Sequence, residues 1–348
     1  MIMKKRLLTI LLTVFLVVYF TGCSTKNTED SKDPVSKTEM FMGTVIKVTL
    51  YDHQGDEVMD KVFDKLKEID DIVSINKKGT EIDEVNKNAG IKPVKMSDTS
   101  FDIISSGLKY SKLSNGDYDI TVGPLVKLWS IGLPEAKVPT QDEIDNAKKL
   151  IDYDKVQINE DTKEVYLEEK GMMLDLGSIA KGYAADEALR VLKEAGVKRA
   201  IVDLGGNIFA MGSKSEDKGW TIGIQDPVEL RGNALGSLEV KNKTVVTTGI
   251  YERFIEKDGV KYHHILNPET GYPYDTNISG ISIIADKSID ADALSTLIFT
   301  KGLEDGLKMV DDMKNVEAVF VTYDKQVYIT SGLKGNFKLL KDGFKLAN

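Results

Sequence analysis

The sequence predicts an α+β fold, with mixed or antiparallel sheets and helices packed on them in a single compact unit. Two observations carry this. From Arg199 to Ile284 the chain is a succession of short β-branched runs broken by Gly, Asn and Asp, whereas helical periodicity is confined to segments before and after that stretch. Strands and helices also fail to alternate one for one, as a doubly wound parallel sheet would require. No composition shift after residue 37 marks a boundary between two domains, and no internal repeat is present.

Taken in order, Met42 to Tyr51 alternates and reads as a strand. Val58, Val62, Leu66, Ile69 and Val73 recur at helical spacing and predict a helix over about 55–73. Phe101, Ile104 and Leu108 place a second helix after Ser97. Thr140 and Glu143 form a capping-box pattern that opens a helix running to about Ile151. Short strands are expected at Lys155–Asn159 and Glu164–Glu168. A helix from Ile179 to Ala195 should stop at Gly196, a C′ residue. Two more helices are expected, one from near Asp290 and one over Glu304–Met313.

The N-terminus reads as a targeting segment. Lys4, Lys5 and Arg6 precede an apolar run from Leu7 to Phe20, then Thr21-Gly22-Cys23, which is a positive n-region, a short h-region and a small-residue cleavage site. Residues 1–22 are expected to be a signal peptide and residues 23–37 a flexible tether, leaving 38–348 as the folded domain. Cys23 is the only cysteine, so it cannot belong to a disulfide framework. Loss of three cations from a net charge of −9 leaves −12. That balance argues against nucleic acid as a partner, and it requires any phosphorylated ligand to be held by a local cation or by backbone N–H groups.

Four segments are richer in Gly, Asp and hydroxyl residues than packing requires. They are Gly116–Leu125, Leu174–Asp186, Thr247–Pro273 and Asp290–Thr296, with Asp203-Leu204-Gly205-Gly206-Asn207 lying between the second and third. Gly205 and Gly206 are either turn residues alone or part of a functional segment. Asp175-Leu176-Gly177-Ser178 before a helix is either a cap or an anion site. On a helical wheel Asp292, Ser295, Thr296 and Phe299 share one face, and Asp292 and Thr296 are one turn apart. Such a face is either solvated or offers two oxygens to a hard cation such as magnesium, which shares its shell with substrate phosphates. Among three histidines, His53 falls in a polar turn, while His263 and His264 point to opposite sides of a strand-like stretch. The sequence shows neither a Ser/His/Asp constellation nor a Cys cluster.

Together these motifs resemble the flavin transferase family often called ApbE, enzymes that transfer FMN from FAD to proteins and are frequently lipoproteins. Met42-Gly43-Thr44, the DITVGPLV run ending at Trp129, the DLG-IAKGYAAD block and the AD-LST block occur in the family's order. The resemblance spans about Thr38 to Tyr328, and it implies an ApbE-like, T-fold-like architecture. It implies FAD contacts at Met42, Asn76, Asp117, Tyr118, Asp119, Asp175, Lys181 and the backbone near Leu266. It also implies a magnesium ion between the carbonyl of Ser178 and the side chains of Asp292 and Thr296. Thr21-Gly22-Cys23 is similar to a lipobox, which implies lipidation at Cys23 and an extracytoplasmic enzyme anchored to the bacterial cell membrane. The chain departs from the common family pattern at Thr248 (Ser), Asn267 (Asp) and Asn76 (Tyr in many members).

The reaction so implied is attack by a threonine hydroxyl of a partner redox protein, at the outer face of the membrane, on the FMN-side phosphorus of FAD, with AMP leaving. His264 is the candidate general base or orienting group, since imidazole titrates near neutrality. Asn76, smaller than Tyr, either caps the preceding helix or turn, or leaves room for water. Water would give slow hydrolysis of FAD to FMN and AMP, an activity that Asn76→Tyr should suppress. An FAD pyrophosphatase and a non-catalytic FAD-binding lipoprotein are the alternatives; the latter would not need Asp292 and Thr296 together.

Overall fold

The structure is a computed structural model that describes residues 33–52, 55–229 and 231–348. The expected signal peptide, Cys23, most of the tether and His53 lie outside the described residues.

Nine strands build the main sheet. They are β1 (Val35–Phe41), β2 (Thr44–Leu50), β3 (Ala200–Leu204), β4 (Asn207–Met211), β5 (Lys243–Gly249), β6 (Ile278–Ala285), β7 (Glu317–Thr322), β8 (Gln326–Ile329) and β9 (Lys345–Leu346). Each pairs with its neighbour in this order. Every pairing is antiparallel except β8 with β9. The sheet is therefore a meander whose connections have been expanded, in keeping with the predicted α+β class.

The β2–β3 connection holds α1 (Asp56–Val73), α2 (Glu81–Lys87), α3 (Asp98–Ser114), α4 (Gly123–Trp129), α5 (Gln141–Lys148) and α6 (Ala180–Glu194). It also holds a small sheet of Val94–Lys95, Glu164–Leu167 and Val156–Asn159. The β4–β5 connection is a hairpin of Trp220–Gln225 and Ala234–Val240, and the β5–β6 connection carries a separate ribbon of Phe254–Lys257 and Val260–His263. Helix α7 (Ser288–Asp311) links β6 to β7.

Period-two alternation divides the sheet's side chains between two cores. Val48, Val202, Phe209, Val246, Ile283 and Phe320 face the layer of helices α1, α3, α6 and α7. Ala210, Val245, Ile284, Val319 and Val321 face the Trp220–Val240 hairpin, Phe337 and Phe344. Strand β6, covered on both faces, is buried along its whole length.

The predicted helices are present at α1, α3, α5 and α6, and Thr140 and Glu143 form the expected capping box. Gly196, with φ 78°, follows the last turn of α6. The two helices expected after Asp290 are two runs of α7, joined at Gly302, where φ is 71°. The sheet begins earlier than the sequence predicts: Val35, Ser36 and Lys37, assigned to the tether, pair with Leu50, Thr49 and Val48. Their polar composition suits an edge strand with one open side.

Candidate active site

The first two motifs lie against each other. Asp175 N–H donates to the Ile120 carbonyl at 2.8 Å, and Gly123 N–H to that of Met173 at 3.2 Å. A Cβ at Gly123 would stand 2.4 Å from the Met173 carbonyl oxygen, so only glycine permits this approach. The side-chain link is a hydrogen bond of 3.0 Å from Ser178 Oγ to Tyr118 Oη. Tyr118 is buried, and burial pushes its phenol pKa up, so it stays a neutral hydroxyl. Asp175, whose pKa is also raised by burial, accepts from Gly177 N–H at 2.7 Å and closes the turn into α6.

The second and fourth motifs meet where α6 crosses α7. The crossing is tight because Gly182 has no side chain: a Cβ there would lie 2.3 Å from the Ser288 carbonyl oxygen and 2.6 Å from Ile289 Cα. Asp186, a turn further along α6, accepts from Ser288 N–H at 2.9 Å and Ile289 N–H at 3.0 Å, so α6 caps the start of α7. This brings Asp292 to the first turn of α6. Its side chain is 4% exposed, and Lys181 Nζ sits 3.2 Å from Oδ1 and 3.4 Å from Oδ2. Gly182 N–H donates to Asp292 Oδ2 at 2.9 Å, although its regular helical acceptor would be the carbonyl of Ser178. Lys181 Nζ also donates to the Gly177 carbonyl at 3.2 Å. The lysine ammonium therefore rests in a cradle of one carboxylate and one carbonyl.

Neither face of α7 is solvated at this level. Ser295 and Phe299 are fully buried, whereas Thr296 is half-buried one turn after Asp292. Ser295 Oγ donates to the Asp292 carbonyl at 2.8 Å and lies 2.7 Å from Thr248 Oγ1, tying the helix to the end of β5.

The third motif supplies the opposite wall. Arg253 donates from Nη2 to the Gly43 carbonyl at 3.1 Å, and its own carbonyl lies 3.2 Å from His264 Nδ1. A carbonyl can only accept, so Nδ1 carries the proton and Nε2 keeps the lone pair. Burial pushes the His264 pKa down to about 4; the Arg253 carbonyl opposes the shift, and the nearby charges of Arg253 and Lys181 add to it. His263 faces inward, with Nε2 2.9 Å from the Tyr274 carbonyl and its ring against Phe299.

Met42 and Gly43 make a two-residue hairpin turn with φ of 54° and 68°. A methionine in the left-handed region is uncommon, and such residues cluster at functional positions. Gly205 and Gly206, with φ of 64° and 95°, form the neighbouring turn, as their turn reading predicts.

Of the residues predicted for FAD, Asp175 and Lys181 adjoin the α6–α7 crossing directly, and Tyr118 reaches it through Ser178. Arg253 joins the turn after Met42 to the stretch before Leu266. Asp119 is committed elsewhere: its carboxylate accepts from Thr121 N–H and Oγ1, both at 2.7 Å, and from Tyr153 N–H at 3.1 Å. Asp117 is ion-paired with Lys301, and its carbonyl accepts from Tyr274 Oη at 2.9 Å. The cap of α1 belongs to Ser74, whose N–H donates to the Asp70 carbonyl, so Asn76 does not cap that helix. It is exposed in the following turn.

Sequence reasoning assigned no part to Arg253, Lys301 or Asp290, which accepts from Tyr110 Oη at 2.6 Å. Arg253 stands inside the third motif, and a cation there, in a chain where phosphate must be held locally, is the signal that could have drawn attention to it.

The model of the ApbE family matches residues 42–320. An FAD:protein FMN transferase of Klebsiella pneumoniae is 34% identical over 311 residues, covering 89% of this chain and 96% of the relative. One of Treponema pallidum is 34% identical over 328 residues, covering 89% and 91%. The crystal structure of the ApbE protein of Thermotoga maritima superposes with a TM-score of 0.80 at 28% identity, covering 87% of this chain and 99% of that one.

Proposed function

The chain belongs to the ApbE family, and from that premise we propose that this flavin transferase moves FMN from FAD to a threonine hydroxyl of a partner protein, with magnesium, releasing AMP. The observation that carries the reading is the α6–α7 crossing. It sets a buried carboxylate, a lysine and the first turn of a helix beside Ser178 and Tyr118, a place suited to a diphosphate and its counter-cation.

Magnesium fits the donors present. Asp292, Thr296 and the Ser178 carbonyl, which Gly182 N–H does not take, would all offer oxygen. Among the described residues no group of three or more His, Cys, Asp or Glu could hold a metal. Water and substrate phosphate would complete the shell, which is the habit of magnesium rather than of zinc. When bound, magnesium would offset phosphate charge and stabilise charge on the bridging oxygen.

The protein's own groups orient the reaction. Lys181 takes part of the diphosphate charge, and Ser178 Oγ and Tyr118 Oη are neutral polar contacts beside it. As the threonine oxygen bonds to the FMN-side phosphorus, the bond from that phosphorus to the bridging oxygen breaks, AMP carries the electron pair away, and the hydroxyl proton leaves to the released AMP phosphate or to solvent. The lone pair at His264 Nε2 accepts a hydrogen bond from the attacking hydroxyl. With a pKa near 4 the ring suits orientation better than storage of a proton at neutral pH. The rate should accordingly stay level through pH 6.5, where a free imidazole titrates, and fall only as the pH nears about 4. An acid limb centred near 6.5 that disappears in His264→Asn would contradict this geometry.

Water in place of threonine would give FMN and AMP from FAD; metal-dependent AMP release that requires an acceptor protein separates transfer from hydrolysis. We also propose that Cys23 is lipidated and that the enzyme works outside the cytoplasmic membrane, which suits the charged, apolar and small-residue order of the leader. Cys23→Ala should move the protein from the membrane fraction to the soluble fraction while leaving transfer intact. Equal partition of the two forms would remove the anchor.

A further inference from the structure

The Lys181–Asp292 pair does more than neutralise a buried charge. Its ammonium makes oxygen contacts at 3.2 Å to Asp292 Oδ1, 3.4 Å to Oδ2 and 3.2 Å to the Gly177 carbonyl. A metal held by Asp292 and the Ser178 carbonyl would have to share that carboxylate, which is 4% exposed, with the ammonium. Among the described residues Asp292 is the only carboxylate paired with Lys181, so it can fully satisfy either cation but not both.

We propose that Lys181 is a resident counter-cation that withholds Asp292 from magnesium until FAD arrives. The diphosphate brings two negative charges and offers Lys181 a new partner. Lys181 is 26% exposed on a flexible stem, so its ammonium can swing from Asp292 to a phosphate without moving α6. Asp292 is 4% exposed and fixed by Gly182 N–H, so it stays where it is. Metal and FAD therefore bind as a coupled pair, each tightening the other by the same factor. Metal alone binds poorly, which keeps the empty site from filling with whichever divalent cation is most abundant. The inference rests on the metal site proposed above and adds an order of events to it.

Free Mn2+ is read by electron paramagnetic resonance while it is titrated into wild type, Lys181→Met, Lys181→Arg and Asp292→Asn, each with and without FAD. Wild type should bind Mn2+ weakly alone and on the order of tenfold or more tightly with FAD, within the usual range of coupling between two ligands. Lys181→Met should bind Mn2+ without FAD at least about tenfold more tightly than wild type, and the further gain on adding FAD should be smaller than in wild type. Lys181→Arg keeps the cation and should behave like wild type, which separates charge from disturbed folding. Equal FAD-free affinities in wild type and Lys181→Met, with binding still lost in Asp292→Asn, overturn the inference but leave the metal site standing. Binding that survives in Asp292→Asn overturns both.

Discussion

Asp292→Ala should abolish FMN transfer at physiological magnesium, while Thr296→Ala should only weaken it. A carboxylate supplies charge as well as an oxygen, whereas a hydroxyl supplies a neutral dipole. Loss of one electrostatic contact made in the transition state typically costs about 10²–10³ in rate. Asp292 has further duties, because its loss strands Gly182 N–H and leaves Lys181 without its ion pair. Asp292→Asn keeps an oxygen for Gly182 N–H and isolates the charge. Both Asp292 variants should lie near the background rate, and excess magnesium should rescue Thr296→Ala far better than either. Near wild-type turnover by Asp292→Asn at limiting magnesium would show that the carboxylate is no ligand.

Gly182→Ala should damage both stability and transfer. The added Cβ would meet backbone, at 2.3 Å from the Ser288 carbonyl oxygen and 2.6 Å from Ile289 Cα. Neither atom can rotate away as a side chain would. Relief requires α6 and α7 to part, at a cost of about 1–3 kcal/mol or more, and the melting temperature should drop by several degrees. The same displacement carries Lys181 and the Gly182 N–H away from Asp292, so transfer should fall at temperatures where the variant is still folded. A variant that melts with wild type and keeps its activity would mean that the helices tolerate a wider crossing.

Local patterns were readable from the sequence because their causes are local. Thr140 and Glu143 cap α5 through atoms three residues apart, and Gly302 interrupts α7 through its own backbone angles. The i, i+4 placement of Asp292 and Thr296 is likewise a property of one helix. What the wheel could not reveal is that both faces of that helix are covered, by α6 on one side and β5 on another, so that Ser295 and Phe299 are buried beside the polar pair. The union of Lys181 with Asp292 spans 111 residues and depends on Gly182 being small enough for the crossing. Arg253 was missed for a related reason: its guanidinium reaches a turn 210 residues earlier. Strand β1 escaped notice because an edge strand needs no alternation of apolar residues, and its Thr38, Glu39 and Met40 are exposed. Helices α2 and α4, at seven residues each, are too short to establish a period.

The most direct measurement follows the acceptor. A soluble form lacking the leader is incubated with FAD, magnesium and a purified candidate acceptor, and the acceptor is examined by intact mass and peptide mapping while AMP is measured in the same tube. The account predicts that the acceptor gains FMN less one water on a threonine, with one AMP released per modified protein. Both signals should disappear with a chelator or in Asp292→Asn. Release of AMP and free FMN from wild type, at the same rate whether or not a competent acceptor is present and with no mass gain on it, would contradict the account and make the protein a hydrolase of FAD.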